Sequence, residues 1–234
     1  MPYRRLPNTD LSRIKALKTA IEKAAGTDFQ DVAISMKTLS RARSVVEKLE
    51  RLCLKYQQTL DTQVKANIAF QSKVKNARMY LSHFIQVLYM CVMRSEIKPE
   101  HLDLYGLQDA NFAVPDLSSN EQLLQWGQKI INGENKRVAR GGVPIYNPGI
   151  AKVSVMYILF KEGYQTQQIH QKATARTLDE VSGFRNEVDS VILDIWEEVE
   201  KFNAELQADE RLDKNREYGL IYYYRKGETM DENR

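Results

Sequence analysis

At 234 residues, 43% of them apolar and 28% charged, the chain carries enough hydrophobic side chains for a packed core, which excludes a disordered polymer. No run of about 18 apolar residues occurs, which excludes an ordinary membrane-spanning helix, and three histidines with two cysteines exclude a multi-histidine metal site or a disulfide framework. The net charge of +3 hides an asymmetry that bears on partners rather than on fold: residues 1–112 hold 18 Lys and Arg against 11 Asp and Glu, and residues 113–234 hold 16 against 20.

Pro2 and Pro7 keep residues 1–8 out of a helix. Thr9 then serves as an N-cap with Asp10 in the first turn, and Leu11, Ile14, Leu17, Ile21 and Ala24 predict an amphipathic helix that Gly26 ends. Thr27-x-x-Gln30 is a capping-box pattern and predicts an immediate restart. From Thr27 to Lys98 there is neither Gly nor Pro. One helix of that length would run about 108 Å, too long for one compact domain, so a turn is expected near Asp61–Asn67. Before it, Val46, Leu49, Cys53, Tyr56 and Leu60 form one apolar series. After it, Phe70, Val74, Ala77, Leu81, Phe84, Leu88 and Val92 form the strongest series in the chain, and the apolar residues from Phe84 onward predict a helix wrapped on most sides.

Pro99 closes that helix. Ser118-x-x-Glu121 predicts another N-terminus, with Leu123, Trp126, Ile130 and Ile131 on a short helix ended by Gly133. Glu134–Asn147 reads as a solvated loop with Lys136, Arg137, Arg140, Gly141 and Gly142, and Pro148 takes the first position of a helix marked by Val153, Met156, Tyr157, Phe160 and Tyr164. Thr177-x-x-Glu180 predicts a further helix whose core spacing is carried by Leu178, Val181, Phe184, Val188, Val191, Ile195, Val199 and Phe202. Leu220–Tyr224 is β-forming and predicts a short strand, paired with Phe112–Val114 or Val143–Tyr146, before a polar tail, Glu228–Arg234.

The two halves, 1–112 and 113–234, read as a duplication. Thr9, Leu17 and Ile21 stand 109 residues before Ser118, Trp126 and Ile130; Arg78, Leu81 and Leu88 stand 107 before Arg185, Val188 and Ile195. Each half closes on Tyr-Gly-Leu, at Tyr105-Gly106-Leu107 and Tyr218-Gly219-Leu220. The expected fold is all-α: six helices built as two related antiparallel three-helix halves, with a minor short β element.

Little chemistry stands out. His83 lies beside a core stripe and reads as structural, and Asp189 and Asp194 with Glu197, Glu198 and Glu200 read as a solvated face rather than an acid–base pair. The loop Arg137–Gly142 lacks the residue order of a phosphate-binding loop. No catalytic, cofactor-binding or metal-binding residue is expected. The electrostatic hint is Lys37, Arg41, Lys48, Arg51 and Lys55, which recur at helical spacing and would contact an acidic partner or nucleic acid.

Several segments carry a resemblance: Leu6-Pro7-Asn8-Thr9-Asp10 with Arg13, Pro144-Ile145-Tyr146-Asn147-Pro148, Ile192-Leu193-Asp194-Ile195-Trp196, and Tyr218-Gly219-Leu220 with Tyr222–Arg225. Together they resemble a family of uncharacterised bacterial helical proteins. The resemblance implies a bacterial origin and transfers no site residue. Cys53 and Cys91, each inside an apolar run, and an opening without a secretory apolar stretch lead to a cytoplasmic expectation. The leading functional expectation is a non-enzymatic interaction or scaffold protein whose partner is another protein or a second copy. A nucleic-acid-binding module using the basic N-terminal half is the alternative, and no membrane partner is expected.

Overall fold

The first helix forms as its chemistry dictates: Thr9 caps α1, Asp10–Ala25, in a box with Ser12, and Gly26 ends it. The computed structural model describes residues 3–28 and 31–224. Its further elements are β1, Tyr3–Arg4; α2, Met36–Met93; a 3-10 helix, Pro99–Tyr105; α3, Asn120–Ala139; α4, Ile150–Phe202; α5, Ala208–Glu217; and β2, Tyr222–Tyr223. The described chain is all-α with a minor β element. β1 and β2 pair antiparallel, Tyr3 opposite Tyr223 and Arg4 opposite Tyr222.

The expected turn at Asp61–Asn67 is absent, because α2 is one unbroken helix of 58 residues. The compactness argument assumed a single core, whereas the chain has two. One compact unit is made of the described residues of Met1–Thr59 and Thr174–Arg234, the other of Leu60–Ala173. Each unit takes residues from both sequence halves, and the position between 112 and 113 falls inside the second. Nothing in α2 between Leu49 and Phe70 is buried, so the stretch needs no core of its own and contains no residue that stops a helix. α4 is likewise continuous for 53 residues, so Thr177 is not a cap. Its hydroxyl stands 2.8 Å from that of Thr59 in the middle of the helix.

In unit 1, Leu17 and Ala20 of α1 meet Ala42, Val45 and Leu49 of α2 and Val188, Val191, Ile195 and Trp196 of α4. Ion pairs from Arg41 to Asp194 and from Lys55 to Glu180 set α2 and α4 antiparallel. α1 is rotated from the predicted face: Leu11 is 78% exposed, and Arg13 is buried instead. In unit 2 the whole series from Phe70 to Val92 is buried, with Tyr105, Leu123, Ile130, Tyr157 and Phe160 around it. Phe70 stacks on Phe160, and Lys152 lies over Tyr80, so the two helices are antiparallel here also. Met90 and Met93 are exposed, so the end of α2 is wrapped less fully than its composition predicts.

Several predicted boundaries move. Thr27 donates back to the Lys23 carbonyl and closes α1, while α2 starts at Met36 under Ser35, whose hydroxyl accepts from the Thr38 N–H. Gln30 lies outside the described residues, as do Arg225, Lys226, Gly227 and the tail Glu228–Arg234. The N-cap of α3 is Ser119, in a box with Gln122, one residue beyond the predicted Ser118. Pro148 precedes α4, which opens at Ile150. The terminal strand pairs with Tyr3–Arg4 rather than with either predicted partner, and Arg5 N–H donates to the Ile221 carbonyl beyond it.

Candidate functional site

The basic stripe falls in unit 1, and α4 places acids against much of it. Arg41 Nη1 lies 2.7 Å from Asp194 and Lys55 Nζ 2.7 Å from Glu180, while Lys48 Nζ sits 4.0 Å from the Phe184 ring centroid. Lys37 shares a small groove with Arg41, Asp194, Glu198 and Lys201, and Arg51 lines a shallow hollow with Glu47, Glu50 and Leu54. Of the carboxylates expected on a solvated face, Asp189, Asp194, Glu198 and Glu200 bind other side chains of the fold, and Glu197 is exposed. Asp189 accepts both arms of the Arg13 guanidinium at 2.7 and 3.0 Å, and Asp10 accepts Arg185 at 2.8 Å twice. The Arg185 hydrogen bond holds the Asp10 carboxyl below its ordinary value. Glu198 accepts from the Ser35 N–H at 2.6 Å and from the Thr38 hydroxyl at 2.7 Å, which satisfies the start of α2. His83 is exposed.

Unit 2 contains an arrangement built partly from Glu134–Asn147, the segment that the sequence predicts as a loop. α3 does not stop at Gly133 but continues to Ala139. A Cβ at residue 133 would stand 2.6 Å from the Tyr105 ring and 2.7 Å from the Leu104 carbonyl oxygen, so this glycine lets the 3-10 helix press against α3. The turn that follows is closed by Gly106 at φ 69°. The close approach brings Tyr105 onto Glu134 and Arg137, one helical turn apart and both buried.

Every acceptor site that Glu134 offers is taken. Its Oε1 accepts from Arg137 Nη2 at 2.9 Å and from the Ile145 N–H at 3.1 Å. Its Oε2 accepts from Arg137 Nε at 3.0 Å and from the Tyr105 hydroxyl. Arg137 Nε also reaches the Tyr105 oxygen at 2.9 Å, and Nη2 donates to the Val143 carbonyl at 2.8 Å. Glu134 is therefore fully hydrogen-bonded and Arg137 is held through Nε and Nη2, so the two buried charges are paired directly, the condition under which burying them is tolerable. Burial, with the bond to Glu134, pushes the Tyr105 hydroxyl well above its ordinary value. The network anchors the segment from Gly141 to Ile145 against α3.

Beside it opens a cleft of about 700 Å³, within the size range of small-molecule sites. Val87 and Cys91 of α2, Ile97, and Val143 and Pro144 supply apolar wall; Glu96, Lys98, His101 and Arg137 supply polar groups. Burial pushes the Cys91 thiol up, and a hydrogen bond to the Glu96 carboxylate adds to that. Among the described residues no three His, Cys, Asp or Glu side chains converge to hold a metal ion, and no helix is long and apolar enough to cross a membrane.

Comparison of the chain with family models, with curated proteins and with solved structures found no match. The buried network did leave a trace in the sequence. Glu134, Lys136, Arg137, Val138 and Ala139 all tolerate or favour helix, and a lone glycine inside such a run marks close packing as readily as an end.

Proposed function

We propose that the chain is a non-enzymatic interaction protein whose first partner is a second copy of itself. The observation behind this reading is a stripe on α4 in unit 2: Val155, Ile158 and Leu159, at helical spacing, are 50%, 48% and 41% exposed. An apolar stripe without charge is complementary to its own copy, as a two-fold interface requires. The acids that would otherwise serve chemistry, Asp189, Asp194, Glu180 and Glu134, are each engaged by a basic side chain of the same chain. Light scattering over a concentration series tests the proposal. A dimer that Ile158→Glu converts to monomer supports it; a monomer at every concentration, or a dimer indifferent to Ile158→Glu, overturns it.

The nucleic-acid reading of Lys37, Arg41, Lys48, Arg51 and Lys55 has less behind it, since Arg41 and Lys55 are ion-paired and Lys48 covers an aromatic ring. A cytoplasmic setting belongs to the same proposal and rests on two half-buried free thiols, Cys53 and Cys91. So does an origin by duplication. Its support is a capping box at the start of both α1 and α3, and an arginine on each long helix that reaches one of those starts. Arg185 binds Asp10, and Arg78 binds the carbonyls of Leu117 and Ser118. Further support comes from the two Tyr-Gly-Leu ends, where Gly106 and Gly219 both take positive φ and both tyrosines and leucines are buried.

A further inference from the structure

We infer that the cleft in unit 2 is a binding site for a small carboxylic acid with an apolar body, its carboxylate held by Nη1 of Arg137. Arg137 is only 3% exposed, and its Nε and Nη2 are consumed by Glu134, Tyr105 and Val143. Nη1 makes none of the hydrogen bonds that Arg137 forms among the described residues, and it is not among the sealed polar atoms left without a partner, so it keeps a small opening to solvent. The cleft is the opening that Arg137 lines. Arg137 lines it together with Gly142, and a Cβ on residue 142 would lie 2.7 Å from Nη1. Glycine at 142 thus leaves this nitrogen uncovered, where any side chain would lie against it.

The polarity of the site selects the ligand group. Glu134 faces four donors and has no lone pair left for a ligand, so the network offers donors and no acceptor. Lys98 and His101 line the same cleft, and with Arg137 they outnumber the one carboxylate there, Glu96. A ligand must therefore accept. Because the Arg137 charge is already balanced by Glu134, the site supplies directed N–H groups rather than net charge, which suits a monoanionic carboxylate better than a dianionic phosphate. The apolar part of the acid would lie along Val87, Ile97, Val143 and Pro144.

Calorimetric titration of the full chain with octanoate, octan-1-ol and inorganic phosphate tests the assignment. Octanoate binds saturably at one site, octan-1-ol binds at least about tenfold more weakly for want of the charge-assisted bond, and phosphate does not compete. Two variants at exposed positions, Val143→Glu and Lys98→Glu, keep the fold, as circular dichroism will register, and weaken octanoate by about tenfold or more through like-charge repulsion. Absence of saturable octanoate binding overturns the inference. Equal affinity for octanoate and octan-1-ol, displacement by phosphate, or octanoate affinity unchanged in Val143→Glu overturns it as well.

Discussion

The two units handle the same ion-pair chemistry in opposite ways. Unit 1 ties its helices with Arg13–Asp189, Arg185–Asp10, Arg41–Asp194 and Lys55–Glu180, all with at least one partner reaching solvent. Unit 2 buries the Glu134–Arg137 contact and closes it with Tyr105, Ile145 and Val143, leaving Arg137 only 3% exposed at the cleft and Glu134 not exposed at all. Water can reach both ends of a broken pair far more readily in the first case than in the second. Burial therefore decides what each pair is worth when broken, and that difference is measurable.

The largest expected effect comes from Glu134→Gln, which leaves the Arg137 charge buried without a counter-ion and costs about 3–5 kcal/mol. Asp189→Asn in unit 1 costs about 1 kcal/mol, because its partly exposed pair is rehydrated. Urea unfolding separates the two. Trp196 lies in the unit 1 core and Trp126 against the unit 2 core, so Trp126→Phe assigns each fluorescence transition to its unit. Equal losses from both variants would break the contrast.

A smaller effect separates two mid-helix glycines. Gly133→Ala in unit 2 drives a Cβ into Tyr105 and the Leu104 carbonyl, and destabilises by about 1–3 kcal/mol despite the better helix former. Gly183→Ala in unit 1 meets nothing within 4 Å and gains about 0.5–1 kcal/mol. Thermal melting of both variants reads the opposite signs directly.

The smallest effects are those of pH, and they sharpen the comparison from both ends. The Asp10 carboxyl is depressed in the folded state, chiefly by its hydrogen bond to Arg185, so its stabilisation is full above the ordinary value of 3.8 and is lost as the pH falls through the folded one. The Tyr105 hydroxyl is raised, so its stabilisation is full below 10.0 and is lost as the pH rises beyond that. Tyr222 in unit 1, pushed up to about 12 by burial and by its bond to Glu200, adds an alkaline component there. Acid therefore weakens unit 1 through Asp10, and Tyr105→Phe should flatten the alkaline loss of unit 2 specifically. A Tyr105→Phe variant with an unchanged alkaline limb would remove the network from that role.

Gly133 explains why the sequence trace of the candidate site points two ways. Gly is both a helix stop and a close-approach residue, and only the neighbour decides which. Here the neighbour is Tyr105, 28 positions earlier in the chain. A helix that ends at Gly133 makes Glu134 and Arg137 loop charges and leaves the cleft beside them without walls. The basic stripe differs: its residues share one helix, as their spacing implies, but the acids that meet it come from α4, more than 120 residues away for Lys55 and Glu180.

Local chemistry by itself determined the helical class, the caps of α1, the core face from Phe70 to Val92 and the strand character of Tyr222–Tyr223, because each depends on residues within a turn or two. Tertiary structure alone decided that α2 and α4 run unbroken, that Tyr3–Arg4 is the partner of the terminal strand, and that Glu134 and Arg137 are interior. Those depend on which surfaces meet across the chain. Helical periodicity tells which face is apolar; it carries no information about how many cores that face serves or what charge waits on the other side.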